Sequence, residues 1–135
     1  MDWKLEVVTV PVADVDRAKR FYEEQLGFNV DLDTQMGSGA RLVQLTPPGS
    51  ACSIHLNTAI AEMAPGSLRG LVIVVADVEA ARAELAGRGV DASPVRHMGP
   101  EDAWVDGYGG DWNAFVFFSD PDGNAWTLQE RPAVA

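Results

Sequence analysis

Apolar and polar residues alternate through residues 5–12, a stretch rich in valine and threonine, and this pattern predicts a strand. Asp14 then stands where a helix N-cap belongs. Val15, Ala18, Phe21, Tyr22 and Leu26 follow at helical spacing on one face, and Gly27 supplies the stop. Strands are predicted at 28–34, 40–46 and 51–57, punctuated by turns at Gly37-Ser38-Gly39 and Pro47-Pro48-Gly49. The same order then returns as a strand at 70–75, a helix at 78–87 and a strand at 90–95. Residues 97–112 interrupt it with an insertion rich in glycine and aromatic residues. Strands at 114–118 and 125–130, joined by an Asp120-Pro121-Asp122-Gly123 turn, complete the pattern.

The chain thus states one unit twice. Val10-Pro11-Val12-Ala13-Asp14-Val15-Asp16-Arg17-Ala18-Lys19 recurs as Ile73-Val74-Val75-Ala76-Asp77-Val78-Glu79-Ala80-Ala81-Arg82. Each copy runs an apolar strand into an aspartate able to cap a helix, and each helix closes at a glycine. Two βαβββ modules imply an α+β fold with helices on one sheet face and the other face left for a ligand. Module one covers about 4–58, a linker about 59–69 and module two about 70–131, within a single domain over 1–135.

Composition narrows the partners. Ten basic residues against twenty acidic ones give a net charge of −10, and no Lys/Arg cluster is present, so nucleic acid is excluded as a partner. An acidic balance attracts cationic ligands at long range, or simply keeps the chain dissolved. No apolar run approaches the roughly 20 residues that span a bilayer. With one cysteine, Cys52, the chain forms no internal disulfide, which suits a reducing cytoplasm.

The residues Val12-Ala13-Asp14-Val15-Asp16-Arg17-Ala18-Lys19-Arg20-Phe21-Tyr22, Leu26-Gly27-Phe28 and Ser119-Asp120-Pro121-Asp122-Gly123-Asn124 resemble the vicinal-oxygen-chelate superfamily. That superfamily holds glyoxalase I, bleomycin-resistance proteins and extradiol dioxygenases. The resemblance runs from Leu5 to about Glu130. It implies a curved mixed sheet, helices on its convex face, a ligand cup on its concave face, and a homodimer. Its metal enzymes place His, Glu or Gln at four strand positions. The matching positions here are Val7, His55, Gly70 and Thr127. Since a catalytic zinc or iron site needs about three protein ligands, neither a metal nor another cofactor is expected. A rescue would have to come from His97, Glu101, Asp102, Asp106 or Asp111 of the insertion.

Strand alternation assigns side chains to faces. With Val7 facing the cup, Thr9 and Pro11 join it, while Val8, Val10 and Val12 meet the helices. Ser53, His55 and Asn57 line the cup, with Cys52, Ile54 and Leu56 in the core. Val72, Val74, Ala125, Thr127 and Gln129 add to the lining, and Trp126 and Phe21 belong to the core, as does one face of Phe115, Phe117 and Phe118. Apolar walls with a few polar groups suit an organic ligand. His55 is the candidate for chemistry, as general base or hydrogen-bond donor, against the alternative of a histidine satisfied by its neighbours.

Trp104, Tyr108 and Trp112, set among acids, suit stacking on a flat or cationic ligand under a lid; the alternative is a solvated loop, or a dimer contact, with the aromatics packed on the protein's own sheet. Gly107-Tyr108-Gly109-Gly110 has no neighbouring cation or helix start and is no phosphate cradle. Two functions follow. One is metal-independent sequestration of an organic ligand such as an antibiotic, favoured by the missing metal ligands. The other is a glyoxalase- or dioxygenase-like enzyme, an isomerase or lyase, that uses His55 with or without a non-standard metal site.

Overall fold

The structure, a computed structural model, describes residues 1–35, 37, 40–57 and 63–133. Ser38 and Gly39 of the Gly37-Ser38-Gly39 turn and the start of the 59–69 linker lie outside the described residues. The contacts divide the chain into two units, residues 1–68 with 120–124, and residues 69–119 with 125–135.

The first unit contains β1 (Val7–Pro11), α1 (Val15–Arg20), β2 (Asn29–Gln35), β3 (Arg41–Thr46) and β4 (Ser53–Asn57). Its sheet has the order β1-β4-β3-β2, with β1 and β4 parallel and the other pairs antiparallel. Asp14 caps α1 as expected: it is extended at φ −132° and its carboxylate accepts the Arg17 N–H at 3.1 Å. The helical pattern to Leu26 is not all α-helix. Phe21–Gln25 forms one wide π-turn, in which the Leu26 N–H reaches the Phe21 carbonyl five residues back at 3.1 Å. Phe21, Tyr22, Leu26 and Phe28 are nevertheless all buried, together with Val10, Val12, Val43, Leu45, Ile54 and Leu56. Each such side chain withdrawn from water contributes about 1.5–3 kcal/mol.

Residues 120–124, the turn between the last two strands of the chain, belong to this first unit. The Tyr22 hydroxyl donates to Asp120 Oδ2 at 2.7 Å, and both groups are buried. Asn124 Nδ2 donates to Asp120 Oδ2 at 2.7 Å and to the Pro11 carbonyl at 2.9 Å. Asn124 Oδ1 accepts the Leu68 N–H at 3.1 Å. Asp122 Oδ1 takes the Ala13 N–H at 3.1 Å and the Arg17 guanidinium at 3.0 Å.

The second unit contains β5 (Leu71–Val75), α2 (Val78–Gly87), β6 (Arg96–Met98), β7 (Trp104–Asp106), β8 (Phe115–Ser119) and β9 (Ala125–Glu130), in the order β5-β9-β8-β6-β7. The repeat holds in three dimensions. β5 pairs parallel with β9, as β1 does with β4, and Asp77 caps α2 by accepting the Ala80 N–H at 3.0 Å. α2 packs on β8 and β9.

The strand expected at 90–95 does not form. Pro94 has no N–H to give a ladder, and the Ser93 side chain takes the place of a backbone carbonyl. Ser93 Oγ accepts the Phe117 N–H at 2.9 Å while the Ser93 N–H donates to the Phe117 carbonyl at 2.9 Å. Pairing begins instead at Arg96, at the edge of the expected insertion, where β6 and β7 make a hairpin that adds a fifth strand. Among the described residues no helix is long and apolar enough to cross a membrane.

Candidate functional site

In the first unit, burial alternates along the strands. Ile54 and Leu56 are buried under the helix, so Ser53, His55 and Asn57 point to the helix-free face, with Val7 and Thr9 of β1 beside them. Register sets a row across the sheet: Thr9 opposite His55, His55 opposite Gln44, and Gln44 opposite Leu32. The pairing of β2 with β3 jumps between Val30 and Leu32, leaving Asp31 as the extra residue of a bulge. A bulge re-aims a side chain, and this one aims a carboxylate at β3.

A polar chain results. Asp31 Oδ1 accepts Asn29 Nδ2 at 2.8 Å, and Asp31 Oδ2 accepts the Thr46 hydroxyl and, at 3.4 Å, Gln44 Nε2. Thr46 and Ser53 hydroxyls lie 2.6 Å apart, and Gln44 Oε1 lies 2.8 Å from His55 Nε2. The Thr46 hydroxyl, then Asn29, hold the Asp31 carboxyl below its ordinary value. Pro11, expected on this face, is fully buried, its carbonyl engaged by Asn124 and Gly66. Cys52, expected in the core, is only half-buried beyond the strand end.

In the second unit, Trp126 and Leu128 are buried, so Thr127 and Gln129 share the helix-free face with Val72 and Val74 of β5 and Phe115 and Phe117 of β8. Val72 and Val74 are 53% and 49% exposed. Phe118 is core, whereas Phe115 and Phe117 stack with rings 6.4 Å apart on the open side. Trp104 meets both edge-on, at 5.3 and 4.9 Å, and remains 47% exposed. Aromatic rings prefer this arrangement.

The segment carrying Trp104 is pinned at several points. Asn113 grips the Met98 N–H at 2.8 Å and the Met98 carbonyl at 3.0 Å, and Gln129 Nε2 donates to the Trp112 carbonyl at 2.9 Å. Gly109 lies against the His97 ring, where a Cβ would come within 2.6 Å. Tyr108, exposed, has its phenol raised above the ordinary value by desolvation and by the Glu130 carboxylate. Trp112 holds a φ of +60°, unusual for a bulky residue.

The positions that the resemblance matches to the superfamily's metal ligands are Val7 and His55 in the first unit and Gly70 and Thr127 in the second. Valine and glycine carry no side-chain donor, a threonine hydroxyl is a weak one, and His55 Nε2 faces Gln44. Of the insertion residues, His97 Nδ1 donates to the Gly107 carbonyl at 2.9 Å and Asp106 pairs with Arg96 at 3.3 Å. Among the described residues no three His, Cys, Asp or Glu side chains form a group able to hold a metal ion. These positions supply one strong donor, His55, where a catalytic zinc or iron site takes about three protein ligands.

The structure therefore gathers Val7, Thr9, Ser53, His55 and Asn57 on one sheet face of the first unit. It gathers Val72, Thr127, Gln129 and Trp104 on one sheet face of the second, with Tyr108 and Trp112 in the turn after β7. Sequence reasoning missed Asp31, Gln44 and Thr46. Gln44 and Thr46 were within reach from strand alternation on β3, but no local signal marks the bulge that brings in Asp31.

Residues 4–128 match the family model described as the glyoxalase/bleomycin resistance protein/dioxygenase superfamily. The antibiotic-binding protein TnmS3 from Streptomyces sp. CB03234 is 35% identical, over 97% of this chain and 98% of its own, with a TM-score of 0.79. A glyoxalase/bleomycin resistance protein from the same organism is 36% identical over 93% and 99%, with a TM-score of 0.75. Among curated proteins, the uncharacterized protein YetH of Bacillus subtilis (strain 168) is 25% identical over 94% of this chain and 98% of its own. With the repeated module and nearly its full length matched, the chain belongs to the glyoxalase/bleomycin resistance protein/dioxygenase superfamily.

Proposed function

We propose that this protein binds a flat organic molecule, an antibiotic or a compound of similar build, and holds it without changing it. The observation that carries this reading is the apolar platform of the second unit, where Trp104 stands edge-on to Phe115 and Phe117 beside exposed Val72 and Val74. Thr127 and Gln129 supply hydrogen bonds on that face, and Tyr108 and Trp112 flank it. A small apolar surface with a few convergent polar groups is the usual make-up of a small-molecule site. The antibiotic-binding activity named for TnmS3 supports the same reading. A net charge of −10 favours a cationic guest. We place the protein in the cytoplasm as a homodimer, for which sedimentation analysis is the test.

The His55 network favours a second reading, an isomerase or lyase in which His55 moves a proton and Val7, Thr9, Ser53 and Asn57 surround its substrate. One experiment separates the two. Tryptophan fluorescence is titrated with bleomycin and with proflavine, a flat cation, and the ligand is recovered for mass spectrometry. Saturable quenching weakened about tenfold or more by Trp104→Ala, about 1.4 kcal/mol, with unaltered ligand recovered, supports sequestration. Conversion of the ligand that His55→Ala abolishes would replace it with the enzyme.

A further inference from the structure

The hydrogen bonds around His55 can be assigned donor by donor. A carboxylate only accepts, so Asn29, Thr46 and Gln44 all donate to Asp31. With its amide nitrogen on Asp31, Gln44 presents its oxygen to the imidazole, 2.8 Å from Nε2. An amide oxygen carries no proton, so His55 Nε2 is the donor. A neutral imidazole has one N–H, which leaves Nδ1 with a bare lone pair. No hydrogen bond to Nδ1 is made among the described residues, and His55 is half-buried on the helix-free face. The same logic extends to Ser53. Thr46 commits its only proton to Asp31, so Ser53 donates to Thr46 across 2.6 Å. The hydrogen bonds donated by Asn29, Gln44, Thr46, Ser53 and His55 thereby run toward Asp31.

We propose that Asp31 and Gln44 are positioning residues that fix His55 as its Nε2–H tautomer, making Nδ1 an acceptor that selects ligands presenting an O–H or N–H donor. Of the two roles open to a neutral histidine, this leaves acceptor or base. The selectivity is a difference between a phenol and its ether. A site built around a hydrogen bond disfavours an analogue that cannot make it, because a buried polar atom is then left unmatched. The selection rests on the reading that His55 faces a bound ligand; the tautomer does not.

His97 provides an internal standard. Its Nδ1 donates to the Gly107 carbonyl at 2.9 Å, so the only two histidines of the chain are expected in opposite tautomers. Long-range proton–nitrogen correlation spectra in alkaline buffer distinguish them. The expected result is Nε2–H for His55 and Nδ1–H for His97. Asp31→Leu should turn His55 into a mixture while leaving His97 unchanged, which also shows that the variant is folded. Gln44→Leu, which removes the acceptor itself, should do the same and serves if Asp31→Leu does not fold. An Nδ1–H form of His55 in the native protein, or an indifferent His55 in folded variants, overturns the assignment.

For selection, 2-naphthol and 2-methoxynaphthalene are titrated separately. Naphthol should bind about tenfold tighter and move the His55 Nδ1 resonance, corresponding to roughly 1.4 kcal/mol. Equal binding with His55 unmoved overturns the selection and leaves the aromatic platform standing. A His55 resonance unmoved by both compounds overturns the selection; tryptophan quenching, read separately, decides the platform, and the imidazole spectra decide the tautomer.

Discussion

Replacing Asn124 with alanine is the sharpest test of what holds the first unit together. Asn124 is fully buried, and its amide makes three hydrogen bonds, to the Pro11 carbonyl, to Asp120 and from the Leu68 N–H. The two bonds to neutral groups contribute about 0.5–1.5 kcal/mol each, and the one to a buried carboxylate about 1.5–3 kcal/mol. Asn124→Ala should therefore cost about 3–5 kcal/mol, a large share of the roughly 5–15 kcal/mol typical of a whole domain. Tyr22→Phe removes the 2.7 Å bond to Asp120 Oδ2 and should cost about 1.5–3 kcal/mol.

Because both side chains act on one carboxylate oxygen, the double variant should differ from the sum of the singles by at least about 0.5 kcal/mol. Asn124→Asp, which turns an acceptor toward Asp120 and the Pro11 carbonyl, should be worse than alanine. Urea unfolding followed by circular dichroism measures all four, with the midpoint shifting at constant slope. A loss below about 1 kcal/mol for Asn124→Ala, set against the bond energies above, would refute the account, as would a double variant that is simply additive.

Gly66 and Gly49 share a φ near +80°, at +81° and +80°, but differ in surroundings. A Cβ on Gly66 would lie 2.0 Å from the Asp122 carbonyl oxygen, while on Gly49 it would meet open space. Gly49→Ala should cost about 1 kcal/mol and Gly66→Ala about 3 kcal/mol or more, as read from melting temperatures. Asp33 accepts both nitrogens of the Arg41 fork and Lys19, and the Arg41 hydrogen bonds foremost hold its carboxyl far below the usual range. A depressed folded pKa means stability present above the unfolded value of about 3.9 and lost as pH falls through the folded one. Asp33→Asn should therefore cost about 1 kcal/mol at neutral pH, a partly exposed network being screened, and the difference from the native protein should vanish in strong acid. Trp112→Gly relieves a positive φ and should raise stability by about 1 kcal/mol while weakening ligand binding.

What the sequence disclosed was what local chemistry decides. Asp14 and Asp77 cap helices because their carboxylates reach N–H groups three residues on, and Gly27 and Gly89 end them at positive φ. Strand alternation correctly separated Ile54 and Leu56 from His55, and Trp126 from Thr127. The failures lie where one distant partner overrides a local pattern. Residues 90–95 have the composition of a strand, but a serine side chain and a proline convert them into a connection bound at one point to β8. Phe115 and Phe117 sit on the open side because β8 alternates against Phe118, and Trp104 reaches them only because an unexpected hairpin extends the sheet. Asp31 was invisible as a site residue because its orientation depends on a register jump that two strands create jointly.

The first unit is built from two stretches of chain that lie far apart in sequence, residues 1–68 and 120–124. During synthesis, which proceeds from the N-terminus, Tyr22 and the Pro11 carbonyl emerge long before the aspartate and asparagine that satisfy them. A nascent chain ending at Leu68 thus carries a folding unit that is chemically unfinished. Its completion waits for residues 120–124, and this ties the maturation of the first unit to synthesis of residues 69–119 that lie between.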